Sequence, residues 1–145
     1  MFQNNERNPH VSIIPVGTIS TGAGLSAGVV VPGLFFRKRS RIKNVYFANN
    51  GAISKDNANH MAVALQDNAG SPVAYAKADT SDAAVVANRQ YALTLQAGGG
   101  AGLNTDSATQ QETDVPAGTM LNAKVTGLGT AAPTNGVVIV EWYPL

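Results

Sequence analysis

The C-terminal stretch, residues 115–145, constrains the fold of this chain more than any other part of the sequence. After a turn at Val115-Pro116-Ala117-Gly118, an alternating segment runs from Thr119 to Thr126. A loop rich in Gly, Pro and Asn follows, and a nearly continuous apolar run then extends from Val137 to Tyr143 and contains Trp142, the sole Trp. Period-two alternation and a short apolar run between turn residues both predict β-strands. We therefore expect the chain to end in a pair of strands that fixes its C-terminus in a β-structure.

Period-two patterns also recur upstream, from residue 34 onward. The segment 60–66 is the clearest example, because Met61, Val63 and Leu65 share one face. Further strands are predicted at residues 42–48, 72–78, 89–96 and 110–115, with a loop or short helical turn at 79–87 and a long polar loop at 98–107. No window of helical length carries an apolar stripe of helical period. Roughly six to eight short strands separated by turn residues predict an all-β fold, an antiparallel β-sandwich or jelly roll rather than alternating strands and helices.

The N-terminal residues 1–33 differ from the rest of the chain. Pro9, Pro15 and Pro32 and several glycines interrupt short apolar segments there. Proline fixes φ and cannot donate to a β-ladder, so such a segment is disfavoured as a long central strand. We therefore predict an extended N-terminal arm at 1–33, followed by a β-sandwich domain at 34–145. The candidate contact residues of the arm are Val11, Ile13, Ile14 and Val16.

Composition limits the classes of partner. Charged residues make up 13% of the chain, against about 25% in typical globular domains, so uncharged polar and small residues must cover much of the surface. The net charge of +1 argues against binding to nucleic acid or membranes driven by electrostatics. The chain has no Cys, a polar N-terminus and no run of eighteen apolar residues. We expect it to be made in the cytoplasm and used there or released with a larger particle.

The sequence contains only incomplete forms of catalytic and metal-binding motifs. The segment Gly24-Leu25-Ser26-Ala27-Gly28 matches the G-x-S-x-G pattern of a nucleophile elbow, but a β-prone run and Pro32 follow where that elbow needs a helix. We interpret it as a glycine-rich loop. His10 and His60 are the only histidines, and the loop carboxylates lack the spacing of a calcium loop. The sequence therefore predicts no enzyme, no cofactor, no metal and no small-molecule substrate.

A basic cluster at residues 37–43 holds half of the Lys and Arg residues of the chain. In an extended conformation it would place its alternate cations on one face, which needs water or an acidic partner. Two interpretations remain open, a solvated strand or loop and a docking site for a carboxylate-rich partner. Nucleic acid is disfavoured, because no aromatic residues interleave the charges. The candidate docking residues are Arg37, Lys38, Arg39, Arg41 and Lys43.

Trp142 and Tyr143 offer a further candidate surface near the C-terminus. Aromatic pairs can form a sugar-binding platform, but the apolar residues that precede this pair favour a core or subunit contact. The candidate residues for that contact are Val138, Val140, Trp142 and Tyr143, or their neighbours on the opposite face.

Four features of the sequence together define a resemblance. They are the extended N-terminal arm interrupted by prolines, the alternating β body, the V-P-A-G turn at 115–118 and the terminal V-V-I-V-E-W-Y-P-L. The chain resembles the small jelly-roll structural proteins of tailed bacteriophages, in particular the capsid decoration or cement proteins. The resemblance covers most of the chain in its general pattern and contains no catalytic motif.

The resemblance implies a jelly-roll homotrimer on the outside of a phage head, at threefold and quasi-threefold positions. Its partners would be the major capsid protein and further copies of itself, and its location the capsid surface of the virion after synthesis in the host cytoplasm. In that setting the arm and the basic cluster would grip the capsid. The alternative is a receptor- or carbohydrate-binding β-domain of a phage tail fibre or head fibre, which predicts exposed aromatic residues in loops.

Overall fold

The computed structural model of the protein describes residues 8–81, 83–95 and 112–145. Within these ranges the chain forms ten β-strands and one short helix. The strands are β1 (His10–Gly17), β2 (Val29–Phe36), β3 (Ser40–Ala48), β4 (Met61–Asp67), β5 (Ala74–Asp79), β6 (Gln90–Ala92), β7 (Thr94–Leu95), β8 (Thr113–Val115), β9 (Thr119–Gly127) and β10 (Gly136–Pro144). The helix α1 (Ala23–Ala27) is a single turn between β1 and β2.

The strands form two sheets of five strands each. Sheet A has the order β1-β10-β3-β6, and β8 also pairs with β3; sheet B has the order β2-β9-β4-β5-β7. Neighbouring strands are antiparallel in both sheets. The prediction of an all-β fold built from antiparallel sheets is confirmed, and its jelly-roll form stays a prediction.

The two C-terminal strands occupy interior positions of the two sheets. β9 lies between β2 and β4, and β10 lies between β1 and β3. The predicted strands at 119–126 and 137–143 therefore exist, each extended by a residue or two. Because β9 and β10 each pair on both sides, they connect an N-terminal strand to a middle strand in each sheet.

The core lies between the sheets and follows from the alternation of each strand. On β9, Leu121, Ala123 and Val125 are fully buried, and on β10 so are Val138 and Val140. The predicted shared face of Met61, Val63 and Leu65 on β4 is buried as well. Burying one such Val or Leu side chain contributes about 1.5–3 kcal/mol, so these rows of side chains hold the two sheets together.

Residues 8–33 differ from the extended arm that the sequence predicts, and residues 1–7 of that arm lie outside the described residues. Residues 10–17 form β1 at the edge of sheet A, and residues 29–36 form β2 at the edge of sheet B, so a boundary after residue 33 falls inside a strand. The physical reason is that Ile14 and Val16 alternate with polar or exposed neighbours and enter the core. The prolines weigh against interior strands but are tolerated at sheet edges, which is where β1 and β2 lie.

Two further segments differ from their predicted form. The expected single strand at 89–96 is divided, because β6 pairs with β3 in sheet A whereas β7 pairs with β5 in sheet B. The chain changes sheets at Leu93, which is fully buried. The G-x-S-x-G segment is not simply a loop, because its residues 24–27 belong to α1, whose Leu25 is buried in the core. The predicted loop at 98–107 and residues 110–111 of a predicted strand lie outside the described residues.

Gly33 lies at an irregularity of β2, where the register with β9 shifts between Pro32 and Leu34. A Cβ atom at this position would lie 2.5 Å from Cδ1 of Ile14 and 2.6 Å from the carbonyl oxygen of Leu121. Neither distance is compatible with van der Waals radii, and the second involves backbone. Glycine is therefore required for the close approach of β1, β2 and β9 at this edge of the sandwich.

We predict that Gly33→Ala destabilises the fold by about 1–3 kcal/mol, because the added methyl group overpacks the contact between the sheets. Gly70→Ala is the matched control, since a Cβ there would meet no atom within 4 Å and the residue does not adopt positive φ. Urea unfolding followed by Trp142 fluorescence measures both. A Gly33→Ala variant as stable as Gly70→Ala would contradict this account of the β2 irregularity.

Candidate functional site

The outer face of sheet A carries an apolar patch that no described part of the chain covers. In the β-ladder, Ile13 of β1 pairs with Ile139 of β10, which pairs with Tyr46 of β3. The next row on the same face joins Pro15 to Val137. We define the apolar patch as Val11, Ile13, Pro15, Tyr46, Val137 and Ile139. Val11 and Ile13 are each 60% exposed, so this patch presents contiguous apolar surface to solvent, a feature typical of interaction sites.

Opposite charges border the apolar patch. Nδ2 of Asn44 donates a hydrogen bond of 2.6 Å to Oε2 of Glu141, and Glu141 pairs with Val11 across the ladder. Lys43 is exposed at the point where the β3–β10 register shifts. Burial, with a smaller contribution from Glu141, raises the pKa of Tyr46. The face as a whole thus combines an apolar centre with a balanced charged border.

The basic cluster is partly neutralised within the chain. Nη2 of Arg39 lies 2.6 Å from Oδ2 of Asp114, and Nε of Arg41 lies 2.5 Å from Oδ1 of the same carboxylate. Nη1 of Arg41 is also 3.7 Å from Oε2 of Glu112, which accepts a 2.6 Å hydrogen bond from the Tyr143 hydroxyl. Strand register causes this grouping, because Arg41 pairs with Asp114 on β8 and with Tyr143 on β10.

These contacts change the acidity of the groups involved. Hydrogen bonds from Arg41 and Arg39 lower the pKa of Asp114 from its ordinary value of 3.8 to about 2. The same interaction with Asp114 raises the pKa of Arg41. The hydrogen bond to Glu112 raises the pKa of Tyr143, with a smaller contribution from burial. Asp114 is therefore a carboxylate at neutral pH and the anionic centre of the cluster.

The five cations predicted to dock a partner consequently occupy three environments. Arg39 and Arg41 share Asp114, whereas Lys43 lies beside the apolar patch. Arg37 and Lys38 form the turn between β2 and β3, are exposed, and have no ion pair among residues 8–81, 83–95 and 112–145. The single cationic face expected from an extended segment is not formed, because the turn separates the first two cations from the strand.

A groove of about 310 Å³ opens beside that turn. Its aromatic and basic lining residues are Phe35, Phe36, Arg37, Lys38 and Trp142, and Ser40 and Pro144 complete the lining. The Trp142 ring stacks on His10 at a centroid distance of 4.8 Å, meets the edge of Phe36 at 5.0 Å, and donates a 3.0 Å hydrogen bond from Nε1 to Oγ of Ser12. The sequence prediction did not single out Phe35 and Phe36, although two aromatic residues directly before Arg37-Lys38 are a readable signal.

The remaining candidate residues lie in the core, in the apolar patch, in the groove and beside the basic cluster. Of the arm contacts, Ile14 and Val16 lie in the core and Val11 and Ile13 in the apolar patch. Of the C-terminal candidates, Val138 and Val140 are core residues. Trp142 packs against the edge of the core and lines the groove, and Tyr143 lies with Arg41 and Glu112.

A second concave region, of about 390 Å³, adjoins the apolar patch through Ala48 and Val137. Its amide side chains hold neighbouring loops together. Oδ1 of the buried Asn49 accepts a 2.7 Å hydrogen bond from the backbone N–H of Thr134, and its Nδ2 donates one of 2.7 Å to the carbonyl of Gly51. These contacts account for the polar character of the hollow through the structure of its own loops.

The two histidines do not share a site. His10 stacks on Trp142, whereas Nε2 of His60 lies 3.6 Å from Oδ2 of the buried Asp79. In the part of the chain that the structure describes, no group of three metal-ligating side chains occurs. The described residues also contain no helix of the length and hydropathy needed to cross a membrane.

We predict that the Asp114 carboxyl titrates with a midpoint near pH 2 rather than near 3.8. Because its folded pKa is lowered, it contributes stability that is fully present above the unfolded pKa and is lost as pH falls through the folded value. Carbon NMR of the side-chain carboxyl gives the midpoint. Urea unfolding of the native chain and of Asp114→Asn should differ at pH 6 and converge as the pH approaches about 2.

Arg41→Gln provides the control for that titration. It removes the hydrogen bond that lowers the Asp114 pKa most, so the Asp114 midpoint should move back toward its ordinary value. A midpoint that stays near 2 in this variant would show that another group lowers the pKa.

No protein-family model matches this chain, and no curated protein matches it. The apolar patch, the partly neutralised basic cluster and the aromatic groove must therefore be interpreted from their own contacts, charges and exposure.

Proposed function

We propose that this protein is a viral structural protein, a capsid decoration or cement protein that binds the outer surface of a phage head as a homotrimer. In this role it stabilises contacts between major capsid subunits and needs no catalytic site. The apolar patch on the outer face of sheet A is the observation that carries the proposal, because it offers a ready surface for self-association.

A second copy of the chain suits this patch better than a strongly charged partner. The exposed Val11 and Ile13 need an apolar counterpart, and the border carries both Glu141 and Lys43. Copies of a face with charges of one sign would repel each other around a symmetry axis. A face with both signs of charge avoids this repulsion. In the proposed trimer, three outer faces of sheet A converge on the threefold axis and shield these residues from water.

The strand order supports the jelly-roll part of the proposal. Without the short strands β7 and β8, sheet A runs β1-β10-β3-β6 and sheet B runs β2-β9-β4-β5. Strands that follow one another in the chain thus hold corresponding positions in the two sheets: β1 and β2, β10 and β9, β3 and β4, and β6 and β5. This arrangement arises when a long hairpin is wound around a barrel. Double-sheet jelly rolls built this way are common in capsid proteins.

The sparse charge of the chain also supports a role on a lattice. With only 13% charged residues, its surface can lie close to neighbouring proteins with few desolvated ions. Three copies linked in one trimer would bind one threefold site together, so individually weak contacts give firm attachment through effective concentration.

We predict that the protein sediments at about 45 kDa, three times the 15.0 kDa chain. Ile139→Lys should raise the dissociation constant of the trimer roughly a hundredfold or more, since an unpaired buried charge costs about 3–5 kcal/mol. Sedimentation equilibrium measures the change, and circular dichroism verifies that the variant remains folded.

Leu128→Lys is the matched control for the oligomer experiment. Leu128 is also an exposed apolar residue, at 44%, but it follows β9 and lies outside the apolar patch. It should leave the trimer intact. A native chain that is monomeric at high concentration, or an Ile139→Lys variant that stays trimeric, would contradict the proposed interface.

Attachment to the capsid is tested by adding purified protein to phage heads assembled without it. We predict protrusions at threefold and quasi-threefold positions in electron micrographs, and greater resistance of the decorated heads to heat. Heads that remain bare at saturating protein would contradict the cement role. Binding to defined glycans at micromolar strength would instead favour the fibre-domain alternative.

A further inference from the structure

We propose that the groove lined by Phe35, Phe36, Arg37, Lys38 and Trp142 binds a polypeptide segment that carries a carboxylate next to an apolar side chain. This inference rests on the proposed function for the source of the segment, the major capsid subunit. It narrows the predicted docking site from the whole basic cluster to the aromatic groove and the two cations at its rim.

Charge identifies the sign of the ligand. Arg39 and Arg41 are already held by Asp114, which leaves Arg37 and Lys38 as the exposed cations of the groove. Neither has an ion pair within the described ranges. A carboxylate placed between them would gain charge-assisted hydrogen bonds from both sides, and the Arg fork permits a bidentate contact.

The apolar wall identifies the rest of the ligand. Phe35 is 57% exposed and lines the groove together with Trp142 and Pro144. Aromatic residues together with Arg are enriched where partner proteins bind most strongly. An apolar side chain seated against Phe35 would bury this surface while a neighbouring acidic residue reaches the rim.

The groove is held in shape before any ligand binds. Three contacts, from His10, Phe36 and Ser12, fix the Trp142 ring. The adjacent turn is fixed as well, because the backbone N–H of Leu145 donates a 2.9 Å hydrogen bond to the Arg39 carbonyl and Oγ of Ser40 donates one of 3.0 Å to the Lys38 carbonyl. A preformed site loses less conformational entropy on binding, which favours a short peptide.

The combination of charge and apolar surface favours peptide over nucleic acid. Two rim cations neutralise few phosphates, and nucleic-acid affinity grows with the number of phosphates neutralised. The chain as a whole has a net charge of only +1. A peptide, in contrast, places one acidic and one apolar side chain at the spacing of adjacent residues.

Trp142 provides a built-in reporter, because it lines the groove and is the sole Trp in the chain. The probe is a short peptide of alternating leucine and aspartate with blocked termini, titrated into the full chain while Trp fluorescence is recorded. The same peptide with asparagine in place of aspartate is the ligand control. We expect saturable change with the acidic peptide and at least roughly tenfold weaker binding of the neutral one, as loss of a charge-assisted contact would produce.

Variants separate the two parts of the site. The double variant Arg37→Gln, Lys38→Gln and the single variant Phe35→Ser should each weaken the acidic peptide roughly tenfold or more. Lys55→Gln, which removes an exposed cation outside the groove, should bind as the native chain does. Equal binding of both peptides, or no effect of the double variant, would overturn the inference.

Other outcomes are equally decisive. Tighter, salt-sensitive binding of a single-stranded thymidine oligonucleotide at the groove would replace the peptide with nucleic acid as its ligand. No response to the acidic peptide in a protein that still decorates heads would overturn the groove inference and leave the cement role standing. Peptide binding by a protein that never decorates heads would support the groove and contradict the cement role.

Discussion

The rest of the structure depends on the double pairing of the last two strands. β9 closes sheet B between β2 and β4, and β10 closes sheet A between β1 and β3. Neither sheet is continuous until residues near the C-terminus are in place. These pairings join strands that are far apart in the chain, so loop-closure entropy is lost before their contacts form, and we expect slow folding from such a topology. The N-terminal strands β1 and β2 are held in the sheets by their pairing with β10 and β9.

This arrangement gives β1 two functions that alternate along its length. Ile14 and Val16 point into the sandwich, whereas Val11 and Ile13 belong to the apolar patch. Folding and the proposed self-association therefore use the same strand through opposite faces. Polar substitutions at the inward positions would destabilise the edge of sheet A, and those at the outward positions would affect the proposed contact with another copy. The period of two along a strand is what separates the two effects.

The sequence predicted the strands better than their partners. Alternation located β4 and both C-terminal strands to within about two residues, because each buries one face. The sequence assigned β1 and most of β2 to an extended arm, because Pro15 and Pro32 argue against interior strands. The alternation pattern does not show which strands lie at an edge. Long-range register is not encoded in local periodicity, so the pairing of Arg41 with Asp114 and the contact of Phe36 with Trp142 could not be predicted.

The basic cluster illustrates why a run of like charges is a weak guide to a binding surface. In sequence, all five cations look equivalent. In the fold, β8 brings Asp114 to Arg39 and Arg41. Both arginines are therefore poorer candidates for a further anion, since a new partner would have to compete with a carboxylate that is already hydrogen-bonded to them.

Arg37 and Lys38, the exposed cations of the groove, lie beside the aromatic side chains that line it and not among other charged groups. Their environment therefore favours a ligand that is anionic at one point and apolar at the next. β10 connects this groove to the proposed trimer contact, because it presents Ile139 on the outer face of sheet A and Trp142 on the opposite side. One C-terminal strand thus contributes to both the proposed contact between copies and the proposed peptide groove. Because alternate residues contribute to each, a substitution can change one proposed contact and leave the other intact.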